Sequence, residues 1–184
     1  MDAIELLRWQ TKKAWDWLET TIDDVTESQA NWQPGGTANS IGANYAHMLI
    51  TADAGFNTQL FGGMPIMATK FRGQVGLSEM PHAAGGWHDW SRLRVDWARL
   101  REYGQAVRED VEEQVDALTP EDLEQRVDMR AYDLGIWQGL DIIDLHGQHH
   151  MRIHGAEIAC LKGLQGALGY QRVAVAPDGM SVRR

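Results

Sequence analysis

Residues 39–57, NSIGANYAHMLITADAGFN, are apolar on more sides than the helix of a protein surface can be. Ile41, Tyr45, Met48, Ala52 and Phe56 form one stripe at helical spacing, and Ala43, His47, Ile50 and Ala54 form a second. A helix with two apolar stripes is buried on most sides, which places it inside a bundle of helices with His47 pointing inward. Ser40 can cap its first turn.

Working outward from this helix, the preceding stretch TESQANWQPGGTANS breaks any period. Pro34-Gly35-Gly36 cannot continue a helix, and Thr26 with Gln29 resembles a capping box for a short turn. Before it, Ile4, Leu7, Ala14, Leu18, Ile22 and Val25 recur at helical spacing and define a first helix from Asp2 to Val25. On the other side, residues 58–87 show no sustained period and are dense in glycine, a long connection for a compact domain. A third helix follows, because Leu93, Trp97, Leu100, Gly104, Val107, Val111, Val115 and Leu118 alternate by three and four. Its charged side, with Arg92, Arg94, Arg99 and Arg101 early and Glu109, Asp110, Glu112 and Glu113 late, is expected to be a solvated face.

Thr119-Pro120-Glu121-Asp122 opens a short helix ending near Val127, and a last long helix runs from about Leu134 to Lys162. No strand pattern competes with these elements. The expected fold is all-α, a four-helix bundle whose long crossover lets helices two and three run parallel. We expect residues 1–170 to form a single bundle domain and residues 171–184 a C-terminal tail, partly an ordered strap and then a loose end.

Composition narrows the partners. With 184 residues, 43% of them hydrophobic, the chain can bury a proper core in one domain. A net charge of -9 argues against nucleic acid or an anionic membrane as the main partner. No apolar run approaches the roughly 20 residues of a membrane span, and Asp2 and Glu5 stand where a signal peptide would carry positive charge, so a cytoplasmic protein is expected. Cys160 is the only cysteine, which leaves nitrogen and oxygen to hold any metal.

Four of the seven histidines fall between His146 and His154. His146, His150 and His154 step by four along the apolar side of the last helix, with Ile136, Leu140, Ile143, Ile158 and Leu161, opposite Asp141, Asp144, Gln148, Arg152 and Lys162. Buried imidazoles need partners for their nitrogens, and a metal ion is a natural one. A four-residue step rises about 6 Å, so neighbouring members of this ladder can share an ion, while its two ends, roughly 12 Å apart, cannot. The last helix therefore supplies one pair, and His47 is the third candidate ligand. Three neutral imidazoles and an open position suit a catalytic Zn or Ni ion.

Other residues carry simpler expectations. His149 should lie at the surface, and Cys160 should be a small core residue with no base to activate it. Trp87 and Trp90 are candidate pocket walls, whereas Trp9, Trp15, Trp17, Trp97 and Trp137 are expected to pack in the core. The glycines of PGGTANSIG lack the Lys-Ser/Thr ending and the preceding strand of a phosphate loop.

The order of a helix, WQPGGTANSIGANYAHMLITADAGF, a long crossover, a helix, LTPEDLEQRV and a closing HMRIHGAEIACLKGLQG resembles the DinB/YfiT-like four-helix-bundle proteins over nearly the whole chain. The resemblance rests most on His47 in the helix opened by Asn39-Ser40-Ile41-Gly42, on His150 and His154, and on Glu157, Ile158 and Gly166 beyond them. It implies that His47, His150 and His154 bind a divalent metal, Zn or Ni. His146-Gly147-Gln148-His149-His150 also resembles a form found in some relatives that would make His146 and His150 the pair, but only the first register places Glu157, Ile158 and Gly166. His146 is then a pocket wall or a neighbour of the ligands, and Glu157 either orients His154, binds a substrate group or acts as a base.

The family includes transferases and isomerases in which the metal activates a low-molecular-weight thiol such as bacillithiol, mycothiol or glutathione. The resemblance thus implies a metal-dependent thiol S-transferase or isomerase acting on small electrophiles. Two alternatives stand beside it: a hydrolase of small esters or amides with Glu157 as general base, and a non-enzymatic binding or stress-response module with a structural or vestigial metal. Its expected partners are a small-molecule thiol and an electrophile, with a homodimer as a further expectation from the family.

Overall fold

The first three long helices each begin where a side chain satisfies their first amides. The computed structural model describes residues 1–80 and 87–170, and two short strands in the tail, Ala174–Val175 and Ser181–Val182. Helix α1 (Ala3–Ile22) opens on a capping box of Asp2 and Glu5, and the single turn α2 (Glu27–Ala30) opens on the expected box of Thr26 and Gln29. Helix α3 (Ile41–Ala54) starts at Ser40, whose Oγ accepts from the Ala43 amide at 3.1 Å, and continues as a π turn, Gly55–Leu60. Helix α4 (Trp97–Ala117) is capped by Asp96, and α5 (Pro120–Glu124) by Thr119 with Pro120 at its start.

The expected last helix starts later than its apolar pattern suggested. Strands β1 (Arg126–Asp128) and β2 (Ile136–Gln138) pair antiparallel as a small hairpin that the sequence did not announce. The helix proper then runs as α6 (Gly139–Asp144), a π turn at Leu145–His149, and α7 (His150–Leu164). A Schellman motif ends it: the Gly166 amide donates to the Gly163 carbonyl and the Ala167 amide to the Lys162 carbonyl, each at 3.0 Å. Gly166, at φ +78°, occupies the left-handed position that this motif requires.

Side-chain contacts fix the direction of every long helix. Going along α3, Tyr45 meets Trp97, Asp53 meets Tyr103 and Asn57 meets Asp110, so α3 and α4 run parallel as the crossover implied. Along α1, Arg8 reaches the carbonyls of Val115 and Asp116, Asp16 pairs with Arg108 at 2.7 Å, and Glu19 pairs with Arg101 at 3.0 Å, so α1 and α4 are antiparallel. Thr51 meets His150 and Gly55 lies against His146, which makes α3 and α7 antiparallel. The bundle therefore runs up, down, down, up, with α1 and α3 each packed against both α4 and α7.

Trp15, Leu18, Tyr45, Leu49, Leu100, Val107 and Ile158 meet in the fully buried centre. Gly104 permits the closest approach of α3 and α4, because a Cβ there would stand 2.0 Å from the Tyr45 hydroxyl.

Several expectations are corrected here. Trp9 and Trp17 are exposed on α1 instead of packing in the core, since their positions face the outer side of the α1/α7 contact; Trp15 and Trp97 are buried and Trp137 packs partly buried against the core. Cys160 is exposed, not a core residue. Gln148 and Lys162, placed on the polar side of the last helix by a regular projection, are buried. The Lys162 ammonium donates to the Thr21 carbonyl at 2.7 Å and to the Asp24 carboxylate, so it closes the C-terminal end of α1. Arg101 and Glu112, expected on the solvated face, belong with Arg108 to the α1/α4 seam.

One buried carboxylate anchors the start of the crossover, whose later part pairs with the stretch before α4 through Leu77 and Val95. Asp53, fully buried on α3, accepts from the Ile66 amide at 2.8 Å, the Met67 amide at 2.9 Å, the Tyr103 hydroxyl at 2.7 Å and Asn57 Nδ2 at 3.0 Å. Among the described residues, no helix is long and apolar enough to cross a membrane.

Candidate metal centre

His47 lies on the stripe of α3 that faces α7, while His150 and His154 lie one turn apart on α7. One ligand atom from each of the three comes within 4.8 Å of the others. Ring centroids are 5.3 Å apart for His47 and His150, 5.0 Å for His47 and His154, and 5.5 Å for His150 and His154. A tetrahedral ion with nitrogen bonds of about 2 Å wants its ligands roughly 3.3 Å apart, so small side-chain rotations would close the set.

His146 is not part of this group. It is 5% exposed, its ring lies so close over Gly55 that a Cβ there would be 2.3 Å from Cδ2, and among the described residues neither ring nitrogen has a hydrogen-bond partner. Its ring still lies 5.3 Å from that of His150, centroid to centroid, but within the π turn Leu145–His149 it packs against Gly55 at the end of α3, and its nitrogens stay outside the converging set.

The hydrogen bonds behind two imidazoles define their tautomers. His154 Nδ1 lies 2.7 Å from Glu157 Oε2; a carboxylate offers no proton, so Nδ1 donates and Nε2 keeps its lone pair. Thr51 Oγ1 lies 3.0 Å from His150 Nδ1. Glu157 is 47% exposed, yet its carboxylate reaches back to the ring. His149 is exposed, as expected.

Trp90, from the short 3-10 helix Trp87–Arg92 at the end of the crossover, meets the His47 ring edge-on at 5.0 Å and walls the site. The Trp87 side chain lies outside the described residues. Thr51 escaped the sequence reading, although its hydroxyl one turn beyond His47 was the available signal.

Burial keeps the rings of His47, His150 and His146 neutral. It lowers the pKa of His47 to about 3, with His154 and His150 adding to the effect, and that of His150 to about 4, with His154 and His149 adding. His146 falls to about 3, again through burial first and then His150 and His47. Neutral imidazoles with directed lone pairs are the donor chemistry that Zn and Ni bind, so the residues present fit such an ion.

This neutrality has a pH signature. Because these folded-state pKa values lie below the unfolded value of about 6.5, the unfolded chain binds protons that the folded chain refuses between roughly pH 6.5 and 4. Stability present above pH 6.5 is therefore lost as pH falls through this window. We expect the melting temperature of the metal-free protein to drop by roughly 5–10 °C between pH 7 and pH 5. A His47→Gln, His146→Gln, His150→Gln triple variant should show a visibly flatter curve, and equal slopes for the two proteins would sink this account.

An up-down-down-up bundle with an inward cluster of three histidines defines the class of protein. The chain belongs to the DinB superfamily, whose model matches residues 10–154. The superfamily is a metal-binding one, and the three-histidine group accords with it. The crystal structure of a conserved protein from Enterococcus faecalis shares the fold, with a TM-score of 0.67 and 15% sequence identity over 89% of this chain and 99% of that one. No curated protein matches the sequence.

Proposed function

We propose that the protein is a metal-dependent S-transferase or isomerase that joins a low-molecular-weight thiol to small electrophiles, with His47, His150 and His154 holding Zn or Ni. The observation that carries the metal reading is the convergence of three imidazoles on one point, with Thr51 and Glu157 behind two of them. The thiol chemistry rests on kinship with DinB-like transferases. A bound divalent ion with an open position lowers the pKa of a thiol and supplies a nucleophile near neutral pH.

The chain's own residues supply the rest. Glu157 fixes the His154 ring and strengthens it as a donor. Trp90 offers an apolar wall that limits water around a small electrophile. The Glu157 carboxylate already accepts from His154 through Oε2, which favours an orienting role over that of a general base.

The test uses untagged protein. Metal content is measured by inductively coupled plasma mass spectrometry, and loss of free thiol is followed with bacillithiol, mycothiol or glutathione against a chromogenic alkylating agent. About one Zn or Ni per chain is expected, with thiol consumption abolished by chelation and restored by the metal. Thiol-independent ester or amide cleavage would instead select the hydrolase, and a metal-loaded protein inert in both assays would select the binding module.

A further inference from the structure

We propose that Thr51 is a positioning residue that selects the tautomer of His150 and thereby turns its Nε2 lone pair toward the metal, an inference that rests on reading His150 as a ligand. Thr51 Oγ1 stands 2.8 Å from the His47 carbonyl oxygen, 3.1 Å from that of Met48 and 3.0 Å from His150 Nδ1. The hydroxyl has one proton, and a carbonyl oxygen has none to offer. Oxygens at 2.8 Å need a proton between them, so the threonine proton is committed to the backbone of α3.

Only an Oγ1 lone pair is then left for His150. Nδ1 must be the donor, and a neutral imidazole carries a single N–H, so Nε2 is left with the lone pair. The proton relay therefore runs from His150 to Thr51 to the carbonyl of His47, itself a candidate ligand. One side chain thus sets the donor atom of the α7 ligand from the helix that carries the α3 ligand.

Thr51 and Glu157 perform this task differently. The carboxylate of Glu157 is 47% exposed, so water can replace it at His154. Thr51 sits where α3 meets α7, and its hydroxyl is held by the helix backbone. Without the hydroxyl, the Nδ1 proton loses its acceptor, and the ring gains by moving that proton to Nε2, where it blocks coordination.

The test compares Thr51→Val and Thr51→Ala, which delete the hydroxyl, with Thr51→Ser, which keeps it. Histidine ¹⁵N NMR of the metal-free proteins reads the His150 tautomer, with the signal assigned by its loss in His150→Gln. Competition with a chromophoric chelator reads Zn affinity, and the visible spectrum of the Co form reads ligand geometry. The expected result is an Nδ1–H tautomer in the wild type and in Thr51→Ser, and a shift toward Nε2–H in the other two variants. Zn binding should weaken about 10–100-fold in those two and stay within about threefold of wild type in Thr51→Ser. An unchanged tautomer, or Zn affinity within about twofold of wild type in Thr51→Val and Thr51→Ala, would overturn the proposal. A wild type that takes up no metal sinks the ligand reading instead, and the metal-free tautomers then decide by themselves whether Thr51 sets the His150 proton.

Discussion

Alanine at His47, His150 or His154 should each empty the metal site, taking a protein with about one divalent ion per chain to less than about a tenth after dialysis against a weak chelator. The loss exceeds the 10–100-fold expected when only an orienting partner is removed, because two imidazoles cannot hold the ion that three surround. His146→Ala should keep close to one ion. Its ring packs on Gly55 outside the group of converging ligand atoms, and removing it also deletes two buried nitrogens that have no partner among the described residues. Metal content, melting temperature and far-UV circular dichroism on the four variants make the comparison. Retention in His154→Ala together with loss in His146→Ala would show that the ion uses the other register, and the arrangement of donors described above would have to be abandoned.

That contrast also shows how far sequence reasoning reached. Four main helices and their order were readable because each carries a stripe at helical spacing, with Ser40 marking the start of α3 and Thr119-Pro120 that of the short α5. The parallel course of α3 and α4 followed from the length of the crossover alone. His150 and His154 drew notice through a four-residue spacing on an apolar face that is costly without a partner, and His47 through its place on an inward stripe of a buried helix; the family resemblance chose the register.

What escaped depends on backbone detail that a regular projection assumes away. A π turn at Leu145–His149 leaves no mark in residue type, yet Gln148, which a regular projection puts on the polar side, is buried within it. The β1/β2 hairpin replaces the first turn of the expected last helix, because three-residue strands are too short to show alternation. Trp9, Trp17 and Cys160 were assigned to the core by residue type, and their helix positions face outward instead. Lys162 erred the other way: its long stem crosses the α1/α7 contact and delivers the ammonium to a helix end.

Asp53→Ala should be the most damaging change away from the histidines. It lies six residues beyond His47 on the same helix, and its carboxylate gathers two crossover amides, one tyrosine hydroxyl and one asparagine amide. Alanine removes every acceptor at once and leaves the Ile66 and Met67 amides and the Tyr103 hydroxyl to find water in an apolar setting, at about 1–3 kcal/mol each where none reaches them. Part of that cost is relieved because burying the carboxylate is itself unfavourable, so a net loss of about 3–5 kcal/mol is expected. For a chain of this size that means a fall of roughly 10 °C or more in melting temperature and a clear drop in the urea midpoint. Asp53→Asn should fall between wild type and alanine, since one end of the amide still accepts while its NH2 group faces donors. The crossover also delivers Trp90 to His47, so loosening its anchor should raise the rate at which a chelator strips the metal, with stoichiometry at saturation unchanged. Stability in Asp53→Ala within about 1 kcal/mol of wild type would mean that the crossover is held elsewhere, and that the Trp90 wall over the histidines owes nothing to this carboxylate.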